Sequence, residues 1–142
     1  MKTVKQIDLF LENRPGTLSE VSELLGNNGI NIIAFYVVTE ADKGILHFIS
    51  NDPEKTVNVL KTAGYELETK DVLACVTPHH PGGMNAILKP LKSADINVEY
   101  IYPCVGTGDI TVLVLGTGPA EKVVGILQDN WIRILGEELY HM

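Results

Sequence analysis

Residues 6–11 alternate between polar and apolar and then become apolar throughout (Gln6-Ile7-Asp8-Leu9-Phe10-Leu11), which predicts a strand ending at Glu12-Asn13. From Pro15 the spacing changes. Leu18, Val21, Leu24 and Leu25 fall on one helical stripe with Ser19, Glu20, Ser22 and Glu23 off it, and Asn27-Asn28-Gly29 stops the helix. Pro15 suits its first turn, and Thr17 with Glu20 has the spacing of a capping box. Residues 30–39 and 45–50, rich in β-branched and aromatic side chains, flank the turn-like Glu40-Ala41-Asp42-Lys43-Gly44 and predict a hairpin. Asn51-Asp52-Pro53 opens a second helix carrying Val57, Leu60 and Ala63. Gly64 stops it, and residues 65–69 form a short closing strand.

The same order then returns at a constant spacing of 66 residues, which separates Pro15 from Pro81, Asn31 from Asn97, Tyr36 from Tyr102 and Pro53 from Pro119. The second copy predicts a strand over residues 72–77, a turn through Pro81-Gly82-Gly83, and a helix bearing Met84, Ile87, Leu88 and Leu91. Pro90 should bend or shorten that helix. A hairpin over residues 96–115 turns at Gly106-Thr107-Gly108-Asp109, a helix carries Val123, Val124 and Leu127, and residues 131–135, starting at Trp131, close the unit. Two helices on one face of a four-stranded antiparallel sheet is the compact solution for each copy. The expected fold class is therefore α+β: two ferredoxin-like βαββαβ sandwiches, residues 1–70 and 71–142, packed together. Apolar runs such as Ile45-Leu46 and Val112-Leu113-Val114-Leu115 leave too few polar positions for a wet second sheet face, so burial is expected there.

Modules of about 70 residues have marginal cores of their own, so association, as a homodimer, is expected. The net charge of −7 and the lack of a basic stripe argue against nucleic acid and anionic membrane surfaces as partners. The first residues carry an acid before any long apolar run and lack a small-residue cleavage site, so no signal peptide is expected and the cytoplasm is the default. Cys75 and Cys104 each lie in an apolar run without metal-ligand spacing, and read as unpaired buried thiols in a reducing compartment.

Asn13-Arg14-Pro15-Gly16-Thr17-Leu18 after the first strand, with Gly29-Ile30-Asn31-Ile32 opening the second, resembles the ACT domain. His79-His80-Pro81-Gly82-Gly83-Met84 and Asp95-Ile96-Asn97-Val98 repeat the resemblance, so it covers nearly the whole chain. It implies an ACT-like regulatory module that binds a small molecule, usually a free amino acid, at an interface between domains. Enzymatic activity then resides elsewhere, and a partner enzyme of amino-acid metabolism reads the ligand. No cofactor or metal is implied.

The residues themselves support that chemistry. The first amides of a helix lack internal partners and carry the positive end of its dipole, so Gly16, Thr17 and Leu18 can present donors to a carboxylate. Asn31 offers a carboxamide oxygen to an ammonium group, or its amide to a carboxylate. The family pattern carries over to Asn13, Arg14, Pro15, Gly16, Thr17, Leu18, Asn31 and Ile32. In the second copy the matching positions are His79, His80, Pro81, Gly82, Gly83, Met84, Asn97 and Val98, with histidine replacing arginine and Asp95 replacing glycine. One site could combine loop 13–18 with Asn97, or loop 79–84 with Asn31.

Blander readings remain beside these. Pro-Gly and Asn punctuate ordinary turns. Arg14 could clamp a carboxylate or pair with Glu12 on the surface. Adjacent His79 and His80 diverge and lack a third ligand. Gly116-Thr117-Gly118 reads as a tight turn, since it lacks the lysine of a phosphate loop, and Tyr36 and Tyr102 read as packing residues. A ligand-free regulatory subunit of a biosynthetic enzyme is the alternative. A small enzyme is disfavoured, because no convergent acid, base and nucleophile stand out.

Overall fold

Ile7, Leu9 and Leu11 share one face of strand β1 (Val4–Glu12) and join Val21 and Leu25 of helix α1 (Thr17–Asn27) in an apolar cluster. Strand β3 (Lys43–Ser50) adds Leu46 and Phe48, and helix α2 (Pro53–Thr62) adds Leu60. Strand β2 (Ile32–Glu40) runs antiparallel to β3, as β1 does, giving the order β2-β3-β1 with both helices on the clustered face. This computed structural model describes residues 2–142. Lys5–Lys70 forms one unit, the first, and Asp71–Met142 with the residues up to Val4 forms the second.

The second unit repeats the design with residues 71–77 of strand β4 (Glu66–Thr77) and with strands β5 (Val98–Pro103), β6 (Thr111–Thr117) and β7 (Ile134–Leu135). Pairing is antiparallel in the order β5-β6-β4-β7. Helices α3 (Asn85–Ser93) and α4 (Ala120–Asp129) bury Ile87, Leu91, Val123 and Leu127 against Leu73, Cys75, Leu113 and Leu115. A 3₁₀ turn over Glu137–His141 follows. The fold is α+β, a pair of ferredoxin-like units. Among the described residues no helix is long and apolar enough to cross a membrane.

All four helices end alike. After α1, α2, α3 and α4 the chain turns left-handed at Gly29, Gly64, Asp95 and Trp131, at φ 70°, 90°, 57° and 63°. Each time the following apolar residue donates its amide back to a buried leucine carbonyl: Ile30 to Leu25, Tyr65 to Leu60, Ile96 to Leu91 and Ile132 to Leu127, at 2.9–3.1 Å. This is the Schellman arrangement, which satisfies the last carbonyls and seals the helix end with an apolar contact.

Several expectations are corrected. The closing strand at residues 65–69 and the strand at 72–77 are one element, β4, because no glycine or proline interrupts Glu66–Thr77. The capping box does not form: Gly16 takes the N-cap position and Pro15 lies in the turn before it, while the Thr17 hydroxyl donates to the Arg14 carbonyl at 3.1 Å. Leu18 and Met84, read as core-facing, are exposed: the inward stripe of α1 runs through Thr17, Val21 and Leu25 instead, and Met84 lies before α3 begins. Gly116 lies within β6, not a turn, and is buried beneath the Tyr100 ring. Trp131 lies outside any strand and is exposed, since the left-handed turn places it before β7. Helix α3 continues through Pro90 to Ser93, two residues shorter than α1.

Candidate functional site

The turn from β1 into α1 is built around Gly16. Its φ of 90° is a backbone that side chains with a Cβ rarely adopt, and the space a Cβ would fill is open. The glycine is exposed; of the amides that follow it, that of Thr17 donates to the Arg14 carbonyl at 3.4 Å, while those of Leu18 and Ser19 have no acceptor inside the helix. Gly82, its counterpart in the second unit, is equally exposed and left-handed at φ 81°.

Around Gly16 the neighbouring residues are committed. Asn13 donates its amide N–H to the Asp42 carbonyl and its Nδ2 to the Ala41 carbonyl, both at 2.8 Å, tying the junction to the β2–β3 turn. Arg14 grips both oxygens of Glu20 at 3.1 and 3.3 Å and donates Nε to Glu12 at 3.1 Å. The hydrogen bonds from Glu20, then Glu12, raise its pKa above the ordinary arginine value. The sequence identified Glu12 as a partner and missed Glu20, whose position suggested a capping role instead. Thr17 is buried, and Pro15 and Leu18 are exposed. A cleft of about 940 Å³ in this unit is lined by Arg14, Thr17 and Glu20 together with Phe10, Val38 and Tyr65.

The second junction is more closed. The Gly83 amide donates to the His80 carbonyl, Asn85 to Gly82, Ala86 to Gly83 and Ile87 to Met84, at 2.8–3.1 Å. Gly83 is buried, its carbonyl accepts from the Thr77 hydroxyl at 3.0 Å, and a Cβ there would collide with the Pro78 carbonyl. His79, His80, Pro81 and Met84 are exposed, with His80 Nδ1 donating to the Pro81 carbonyl at 2.9 Å. Among the described residues no three His, Cys, Asp or Glu side chains group as a metal site.

Neither junction meets the asparagine of its own unit. Asn31 precedes β2, whereas the Gly16 turn follows Glu12, which pairs with Lys43 at the other end of the sheet. The eight steps of extended strand from Ile32 to Glu40 span about 26 Å. Likewise Asn97 precedes Val98, opposite Thr117, while loop 79–84 follows Thr77, opposite Thr111. Asn31 and Asn97 are exposed, Ile32 and Val98 half-buried. The main chain of Asn31 is engaged with Asn51: its amide donates to Asn51 Oδ1 at 2.8 Å, and its carbonyl accepts from the Asn51 amide at 3.0 Å.

Burial raises the pKa of the Cys75 and Cys104 thiols to about 12, and both are free, so neither is a ready nucleophile. Tyr36 stacks on His47 with ring centroids 4.3 Å apart, and Tyr102 is buried beside Tyr100.

Solved structures similar to this chain include three that span most of it. A protein of Bacteroides thetaiotaomicron is 30% identical, with 99% of this chain and 98% of that one covered at a TM-score of 0.92. The regulatory subunit of aspartate kinase from Thermus thermophilus, in a ligand-free form, is 15% identical over 92% of this chain and 93% of that one, at 0.63. Its counterpart from Thermus flavus is 17% identical over 92% of each chain, at 0.62. At the lower identities the similarity establishes the fold alone. No curated protein matches. The family described as the ACT domain pair matches residues 2–142, and the chain belongs to it.

Proposed function

We propose that this chain is an amino-acid sensor that regulates a partner enzyme of amino-acid metabolism. The observation that carries the reading is Gly16, left-handed, exposed and unobstructed where α1 begins, beside a cleft large enough for a small molecule. A ligand carboxylate approaches the first amides of α1 over that glycine. Arg14, held by Glu12 and Glu20, keeps the junction in shape rather than clamping the ligand. Asn31 and Asn97, remote from the junctions of their own units, serve the junction of another ACT unit and meet the ligand's ammonium group with their carboxamide oxygens.

Two of the relatives are regulatory subunits of aspartate kinase, which supports an enzyme as the partner and a regulatory rather than catalytic role. The protein acts in the cytoplasm as a homodimer, and ligand binding favours one arrangement of ACT units over another by its differential affinity for the two. The Asn85 amide, which donates to Gly82 where the corresponding Ser19 amide has no such bond, favours a structural role for the second copy, with loop 13–18 as the receptor and loop 79–84 as support.

A thermal-shift screen against the common free amino acids tests the reading. A true ligand at about 100 times its Kd adds roughly 2.7 kcal/mol of stability. Asn31→Ala or Asn97→Ala should reduce that gain. A folded sample indifferent to every amino acid, yet still bound to its enzyme, would instead favour the ligand-free subunit.

A further inference from the structure

Trp131 is the only tryptophan of the chain, and it is 95% exposed. It sits at φ 63°, in the position that Gly29 and Gly64 fill after α1 and α2. A glycine there would avoid the clash that a Cβ meets in this backbone, and a polar side chain would sit better in water. This helix end departs from the local rules on both counts, and such departures concentrate at functional sites.

Next to it in the chain lies a groove of about 570 Å³ between α3 and α4, lined by apolar Ala86, Pro90, Ala94 and Ile126 and by as many polar residues, Lys89 and Asn130 among them. Asn130 of that lining is the residue before Trp131, so a projecting indole and a half-apolar groove adjoin on one surface. We infer that two copies of this chain associate through this face, each placing Trp131 in the α3–α4 groove of the other. A two-fold interface is self-complementary and requires projection and recess on the same patch.

Charge supports a second copy as the occupant. Helix α3 carries Lys89 and Lys92 and no acid, while α4 carries Glu121 and Asp129 against the single Lys122. Setting each α3 against the partner's α4 opposes unlike charges, in a protein whose net charge of −7 otherwise favours separation. Ala86 and Ala94 allow the indole close approach, and Lys89 is placed to cap its face through a cation–π contact. A single aromatic anchor per copy makes this a small interface that dissociates on dilution.

The inference rests on the homodimer proposed above, and one experiment separates the two. Excited beyond the tyrosine absorption band, fluorescence reports Trp131 alone, so emission and sedimentation are followed together from about 1 µM to about 1 mM, the range in which weak complexes form. The emission maximum should shift to the blue as the sedimenting species becomes a dimer. Trp131→Ala and Lys89→Glu, both at exposed positions, should each weaken association at least tenfold while leaving the circular dichroism spectrum unchanged. A water-exposed emission maximum at every concentration, or a Trp131→Ala dimer as tight as the wild type, would overturn the contact. Either result could leave association by another surface standing.

Discussion

His47 and Asp8 face each other across β3 and β1, joined by a 2.7 Å hydrogen bond from Nδ1 to Oδ1, although Asp8 is only 2% exposed. Burial pushes the Asp8 pKa up, but hydrogen bonds from His47, Gln6 and Lys70 outweigh it and hold the carboxyl below its ordinary value. The unfolded state therefore binds the proton more readily. This group's contribution is present in full above the unfolded pKa of about 4 and is lost as pH falls through the lower folded value. Asp8→Asn should cost about 2 kcal/mol at neutral pH. Urea unfolding across pH should show the difference from wild type constant near neutrality and shrinking below about pH 4.

Trp131→Gly should raise the stability of the protomer. Relief of the left-handed backbone gains about 1–2 kcal/mol, and the added freedom of glycine in the unfolded chain offsets about 0.5–1 kcal/mol of it. A net gain of roughly 1 kcal/mol in chemical denaturation at micromolar concentration is expected. The same substitution should weaken association, so stability and assembly move in opposite directions.

Gly116 is held under the Tyr100 ring, with which any Cβ would collide. Gly116→Ala should displace that ring and cost about 1–3 kcal/mol, as over-packing of a filled site does. In a Tyr100→Ala background the penalty should shrink, and a double-mutant cycle measures the coupling.

The element order was legible because the 66-residue repeat showed the helical and strand periods twice, and Gly29 and Gly64 marked two helix ends by residue type. Asp95 and Trp131 end their helices in the same geometry with residues that do not announce it. The role of Glu20 was missed because its spacing from Thr17 suits a capping box, and only the folded turn shows that Arg14 reaches it. The candidate site was legible residue by residue but not as an assembly. Asn31 and Gly16 lie at opposite ends of one unit, and which unit completes which junction is a tertiary relationship that no local pattern carries.

The central claim is that the amides opening α1 receive a free amino acid over Gly16. At 15.5 kDa the protein suits amide-resolved nuclear magnetic resonance, and titration with the amino acid that scores highest in the thermal screen tests the claim directly. The amides of Gly16, Leu18 and Ser19 should show the largest saturable shifts, and Gly16→Val should abolish them. Saturable shifts centred elsewhere, with those three amides unmoved, would contradict the account.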